Sequence, residues 1–229
     1  MKTPFICTVY VRIVSIILLI GISSCSDTNL EPIGGMPMDE EPMENTEEAE
    51  TEETEETTGI SENPILRLNC GGDEIGYGDT VFTEDNFFGG DTMDFENAAV
   101  TEVLNTEMDG IYIKQRTAID ELGGFTYSIP ITNGTYIVKL HFAEIFYGAP
   151  TGGIGTGNAR VFDVEVEGAV LLDDLDIFIE AGALTALIKE FEVTIEDEEL
   201  IISTSASVGR PALAAIEVLG DGQIINSGG

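Results

Sequence analysis

From Ile65 onward, apolar and polar residues alternate in short runs separated by clusters of Gly, Asn and Asp, and no long segment repeats its apolar residues every 3.6 positions. A β-strand sends successive side chains to opposite faces, so each such run offers one face to a core and one to water. In the run 135–144, Tyr136, Val138, Leu140 and Phe142 fall on one face, with Lys139 and His141 on the other. Val164 and Val166 alternate with Asp163, Glu165 and Glu167 in the same way, as do Phe191, Val193 and Ile195 with Glu192 and Thr194. The pattern predicts strands over 65–70, 111–115, 125–129, 135–144, 161–167, 187–195, 200–205 and 213–219. Strands with one apolar face are satisfied by a second sheet laid against the first, so the predicted class is all-β, a β-sandwich of two antiparallel sheets. Asn133-Gly134 lies between two runs and predicts a hairpin turn with positive φ. Pro130 and Pro211 fall at run ends, where a missing N–H costs no ladder bond.

The cysteines divide the chain. Cys7 and Cys25 stand near the start and only Cys70 lies in the β-rich part, which must therefore hold together by its core, without an internal disulfide. In Leu66-Arg67-Leu68-Asn69-Cys70 the first, third and fifth residues share a face, so Cys70 reads as a small buried hydrophobe. Lys2 and Arg12 precede the apolar run 13–22, which is shorter than the roughly 20 residues a spanning helix needs and reads as the core of a signal peptide. Ile22-Ser23-Ser24-Cys25 resembles a bacterial lipobox, which implies a signal peptide over 1–24, cleavage before Cys25 and its acylation. Several acyl chains hold a protein durably on a membrane, where one does not. Ser26 follows the cysteine where an acid would mark retention at the inner membrane, so the expected location is the cell envelope, lipid-anchored at the outer membrane.

Residues 26–62 contain 14 acids and no Lys or Arg. Self-repulsion and scarce apolar surface predict a disordered acidic linker over 25–62, lipidated at its first residue, then the β-sandwich over 63–220 and a flexible tail over 221–229. From residue 63 on, 29 acids face 7 basic residues, a formal charge of −22 that excludes nucleic acid as a partner.

Eight blocks carry a more specific reading: Leu68-Asn69-Cys70-Gly71-Gly72, Phe87-Phe88-Gly89-Gly90, Phe125-Thr126-Tyr127-Ser128-Ile129-Pro130, Asn133-Gly134-Thr135-Tyr136, Leu140-His141-Phe142-Ala143-Glu144, Val161-Phe162-Asp163-Val164, Asp174-Leu175-Asp176-Ile177 and Ala215-Ile216-Glu217-Val218. In this order and approximate spacing, the stretch from Ile65 to Leu219 resembles the malectin domain family. The resemblance implies a jelly-roll-like β-sandwich with a sugar cleft among the loops at one end. It also implies non-catalytic binding of a carbohydrate, a glucose-containing oligosaccharide in the founding members. The alternative is a protein-interaction or structural module with a protein partner in a cell-envelope complex.

A sugar presents an apolar C–H face and a rim of hydroxyls, so its site needs aromatic planes and polar acceptors. Tyr112, and Phe146 with Tyr147 before the Gly-rich loop 148–157, supply such planes. From the residues alone, Tyr112 between Ile111 and Ile113 also fits a half-buried strand tyrosine, whereas a mobile loop gives Phe146 and Tyr147 little to be buried in. By the resemblance, Tyr112 matches a binding tyrosine, Phe146 and Tyr147 match an adjacent aromatic pair, and Phe95 falls nearest a further binding tyrosine, without its hydroxyl. Gly209 stands where the family carries its binding acid, before Pro211.

No catalytic residue, metal ligand or cofactor is expected. His141 is the chain's one histidine and sits inside a predicted strand, which suits a structural role better than a nucleophile's base. Glu144 is the one acid near the aromatic pair, and chance proximity accounts for it in so acidic a chain. Asp173-Asp174-Leu175-Asp176 lacks the spacing of a calcium loop and reads as a structural turn.

Overall fold

A computed structural model describes residues 59–225. The expectations for 1–58, Cys25 among them, and for 226–229 lie outside the described residues. In chain order the strands are β1 (Pro64–Asn69), β2 (Ile75–Tyr77), β3 (Thr80–Phe82), β4 (Phe88–Gly89), β5 (Thr92–Glu96), β6 (Lys114–Ala118), β7 (Gly124–Pro130), β8 (Gly134–Phe142), β9 (Val161–Val166), β10 (Ala169–Leu175), β11 (Leu187–Ile195), β12 (Glu199–Val208), β13 (Ala212–Leu213) and β14 (Ala215–Leu219). Two short helices, α1 (Gly110–Ile113) and α2 (Ile177–Ala181), accompany them.

Four strands in the order β1-β14-β8-β11 form one sheet and five in the order β10-β9-β12-β7-β4 form another, all neighbours antiparallel. Alternation decides which side chains meet between them. Tyr136, Val138, Leu140 and Phe142 of β8 join Phe125, Tyr127 and Ile129 of β7 and Phe162, Val164 and Val166 of β9 in one buried apolar cluster. Cys70 belongs to the same cluster, fully buried, and burial followed by the charge of Asp85 pushes its thiol pKa up. This is the sandwich that the period-2 pattern predicts.

A second, smaller apolar layer lies over the opposite face of the four-stranded sheet. Phe82, Val103, Ile111, Tyr112 and Ile145 form its centre. His141, whose neighbours Leu140 and Phe142 point into the sandwich, faces this layer and meets the Phe82 ring edge-on at 6.2 Å. The sequence pattern misses the layer because it is assembled from the β2–β3 hairpin, loops and α1, none of which carries a long period.

A third sheet, β13-β6-β5, stands beside the sandwich. Its middle strand is fixed by a buried ion pair, with Arg116 Nε donating to Asp85 Oδ2 at 2.8 Å and the Phe88 ring 3.8 Å from the guanidinium carbon. Tyr127 donates to the other Asp85 oxygen at 2.8 Å, tying β6 to the sandwich core. Burial opposes the Arg116 charge, but hydrogen bonding and charge from Asp85 outweigh it, so the pKa rises. Gln115 and Thr117, on either side of Arg116, therefore face the other way.

Three expectations need correction. The strand predicted over 111–115 is α1 followed by β6, because Asp109 is already helical and its carboxylate accepts the Val103 N–H at 2.6 Å, fixing the turn that starts α1. Asn133-Gly134 closes no hairpin: β7 and β8 lie in different sheets, and Asn133 instead bridges to the β11–β12 connection, donating to the Glu196 carbonyl and accepting the Glu198 N–H. The turn expected at 173–176 is the irregular end of β10, with Asp174 at φ 51° and its N–H bound by Asp163, before Asp176 caps α2. Within 221–225, the Ile225 N–H donates to the Pro130 carbonyl at 2.8 Å.

Candidate functional site

Tyr112 is not available to a ligand. It is 0% exposed, and its hydroxyl lies 2.8 Å from His141 Nδ1, while His141 Nε2 lies 3.0 Å from Glu217 Oε1 and Arg67 Nε donates to Glu217 Oε2 at 2.8 Å. The tautomer with its proton on Nε2 satisfies the whole chain, donating to Glu217 and accepting from Tyr112. Burial pushes the Glu217 carboxyl up, but hydrogen bonds from His141 and Arg67 outweigh it and hold the pKa below its ordinary value. Burial, then the Glu217 charge, push the Tyr112 hydroxyl up. The expected binding tyrosine is thus a structural one, turned inward by α1, and His141 is its partner in the layer above the four-stranded sheet.

Phe95, Phe146 and Tyr147 do come together. Phe95 pairs across β5 and β6 with Gln115, and Met93 with Thr117, which in turn pairs with Ala212 of β13. One face of the three-stranded sheet is therefore the floor of a cleft of about 180 Å³ lined by Met93, Phe95, Gln115, Thr117, Glu121, Phe146, Tyr147, Arg160, Gly209, Arg210 and Ala212. Phe146 meets Phe95 edge to face at 5.9 Å and Tyr147 at 5.0 Å. Phe95 and Phe146 also border a more open depression of about 490 Å³ with Glu96, Asn97, Ala98, Ala99 and Thr151, so the pair forms a ridge between two concavities.

The aromatic pair is held by a carboxylate beneath it. Past the end of β8, Glu144 is 1% exposed, and its Oε1 accepts the N–H groups of Phe146 at 2.9 Å and Tyr147 at 3.0 Å. Arg160 neutralises it, donating from Nε to Oε2 at 2.7 Å, and the same guanidinium lies 5.7 Å from the centre of the Tyr147 ring. Arg160 Nη1 reaches the Arg210 carbonyl at 2.5 Å, joining this arrangement to the loop on the far side of the cleft. Gln115 donates to the Ala143 carbonyl at 2.7 Å, and Asn97 to the Ile145 carbonyl at 2.7 Å and the Pro150 carbonyl at 2.9 Å. Backbone outside a ladder must find such partners when buried.

The Gly-rich loop does not stand away from the pair. Gly148 N–H donates to the Gly153 carbonyl at 2.9 Å, and a side chain at Gly152 would overlap the Phe146 carbonyl at 1.8 Å. The loop folds back over Phe146 and Tyr147 and leaves both half-buried, with one side open to the cleft.

Gly209 has a physical reason to be glycine. Its φ is +66°, a Cβ there would come within 2.8 Å of the Ala159 carbonyl oxygen, and its own carbonyl accepts the Leu122 N–H at 2.7 Å. A carboxylate could be placed there only by moving the 159–160 segment. On the same rim, Glu121 offers one instead, exposed beside Leu122. Arg160, Arg210, Glu121, Gln115 and Thr117 were not among the residues singled out from the sequence. Only Arg160 and Arg210 carried any signal, as two of the few cations in an acid-rich stretch.

The Malectin domain profile matches residues 64–220. Human malectin is 28% identical over 153 residues, which cover 65% of this chain and 49% of malectin. A probable LRR receptor-like serine/threonine-protein kinase of Arabidopsis thaliana is 26% identical over 159 residues, 60% of this chain and 17% of the kinase. The chain thus spans about half of malectin and a small part of the plant receptor. Among solved structures, the extracellular domain of ANXUR1 from Arabidopsis thaliana superposes with a TM-score of 0.59 at 18% identity, covering 69% of this chain and 48% of the other, a likeness of fold. The chain belongs to the malectin domain family.

Proposed function

We propose that this domain is a non-catalytic carbohydrate-binding module and that a glucose-containing oligosaccharide lies across the Phe95–Phe146 ridge. The observation that carries the reading is the convergence of three half-buried aromatic residues, Phe95, Phe146 and Tyr147, on one cleft with polar groups at its rim. Rings held edge to face expose flat faces for sugar C–H groups, while Gln115, Thr117 and Glu121 supply hydrogen-bonding partners for hydroxyls. Two concavities on either side of one ridge suit consecutive sugar rings. Glu144 supports binding rather than hydrolysis, since its oxygens are engaged by Arg160 and two backbone amides. Calorimetry with gluco-oligosaccharides tests the reading: Phe146→Ala and Tyr147→Ala should each weaken binding by about fivefold or more, taking about 1–3 kcal/mol for a ring stacked on an aromatic side chain. Failure of the folded domain to bind any glycan on an array overturns it.

Exposed Ile119 and Leu122, 47% and 64% accessible beside the cleft, favour a second reading as a protein-interaction module of an envelope complex. The receptor-like relatives support it as well. A stoichiometric partner captured from envelope extracts and unaffected by Tyr147→Ala would select this reading. For the N-terminal segment we propose acylation of Cys25 and attachment of a bacterial protein to the outer membrane, supported by the lipobox-like Ile22-Ser23-Ser24-Cys25. Palmitate labelling that persists in Cys25→Ala would overturn the anchor.

A further inference from the structure

The cations of this domain are almost all neutralised. Arg67, Lys114, Arg116, Lys139, Arg160 and Lys189 each contact a carboxylate. The seventh basic residue of the described chain, Arg210, has no such partner among the described residues, nor any side-chain hydrogen bond there. It is exposed, and it lines the aromatic cleft. Its backbone is fixed from below, because the Arg210 carbonyl accepts from Arg160 Nη1. The residue before it is Gly209, held at φ +66° against the Ala159 carbonyl in a place where no carboxylate can sit without displacing the backbone. Glu121, on the same rim, makes no ion pair with Arg210 among the described residues and is left to accept from hydroxyls.

We infer that Arg210 makes this cleft selective for an acidic saccharide, one whose ring bears a carboxylate of the uronic-acid type. The inference rests on the carbohydrate reading and names the class of sugar. Guanidinium is suited to the task because its planar donors engage both oxygens of a carboxylate, and it keeps its charge at any physiological pH. The formal charge of −22 from residue 63 on does not decide the outcome. At about 0.15 M salt the screening length is about 8 Å, so distant acids are screened while a guanidinium in contact with its ligand is not.

The test is calorimetry on the intact domain at about 0.15 M salt with three probes: a glucuronic-acid-containing disaccharide, its methyl ester and the parent gluco-disaccharide. The ester keeps the ring and its shape but removes the charge. The acid should bind about tenfold more tightly than the ester, the effect of one charge-assisted contact. Arg210→Gln should erase that difference between acid and ester, and Arg210→Lys should restore part of it. Equal affinity for acid and ester, or an Arg210→Gln variant that weakens all three probes alike, overturns the inference while carbohydrate binding stands. Binding of none of the three by the folded domain, with an array also blank, removes both.

Discussion

The two apolar clusters of this domain solve the same problem in different ways. Between the large sheets the backbone is paired in ladders, so the side chains that meet there, Phe142, Phe162, Val164 and Ile202 among them, need only be apolar and fit. Over the outer face of the four-stranded sheet the backbone is irregular, and buried polar side chains complete it: Asn97, Gln115 and Glu144 bind main-chain groups, and His141 links Tyr112 to Glu217. The difference shows where a site can be built. Loops can hold aromatic residues at the edge of a cleft only if something other than a neighbouring strand pairs their amides, and here Glu144 pairs those of Phe146 and Tyr147.

If this contrast is right, damage to the first cluster is global and damage to the second is local. Phe162→Ala should cost about 3–5 kcal/mol in urea denaturation, from lost burial and the cavity left behind. A loss below about 1 kcal/mol would mean the inter-sheet core is not the main source of stability. Glu144→Ala should cost about 3 kcal/mol, because Arg160 is left as an unpaired buried charge. Its mark is selective: the near-ultraviolet tyrosine signal and saccharide affinity change at temperatures where the far-ultraviolet strand signal is intact. Tyr112→Phe removes only the bond to His141, for about 1 kcal/mol. Saccharide affinity should stay unchanged, and a loss of affinity would return Tyr112 to the site.

The smallest effect sharpens the contrast through pH. Glu217, in the outer layer, has a lowered pKa, so its contribution to stability is present above the ordinary carboxylate range and lost as pH falls through its folded value. Glu167, in the β9–β10 turn, has a raised pKa: burial raises it, the Ile201 N–H lowers it, and Asp197 and Glu199 raise it again. Its contribution is present below the unfolded value and lost as pH rises through the folded one. Glu217→Gln should therefore lower stability at pH 7 and flatten the acid limb of the stability curve. Glu167→Gln, which keeps an oxygen for the Ile201 N–H, should raise stability at pH 7 by about 0.5 kcal/mol or less. Shifts of the same sign in the two variants would contradict these environments.

The sandwich was legible because period-2 alternation is a local property that survives in the sequence. Leu187–Ile195 is a strand with the bounds the pattern predicts, and β7, β8, β9 and β12 differ from theirs only at the ends. The outer layer was not, since its order comes from contacts between distant segments. Tyr112 illustrates the loss: flanked by isoleucines it looks like a strand residue with one exposed side, and only the α1 turn and the position of His141 put it inside. Asn133-Gly134 has the chemistry of a hairpin turn, yet its neighbours leave for different sheets, a matter of topology that two residues do not encode. Of the site, the adjacent aromatic residues were visible and their supports were not. Glu144 was dismissed as one acid among many, and what distinguishes it is burial against Arg160, sixteen residues further along the chain.

The position of β14 has a consequence in time. The last strand of the sandwich lies between β1 and β8, with Leu68 opposite Ile216 and Val138 opposite Val218, and Gly220 closes onto Asn63 at 2.9 Å. As the chain is synthesised, β1 appears first and waits for a partner that appears last, and the middle of its sheet stays open until residue 219 has been made. Pairing so distant in sequence is slow to form. The four-stranded sheet of a nascent chain of this order is therefore completed only after β14 has emerged, later than the five-stranded sheet, whose strands are all made by Val208.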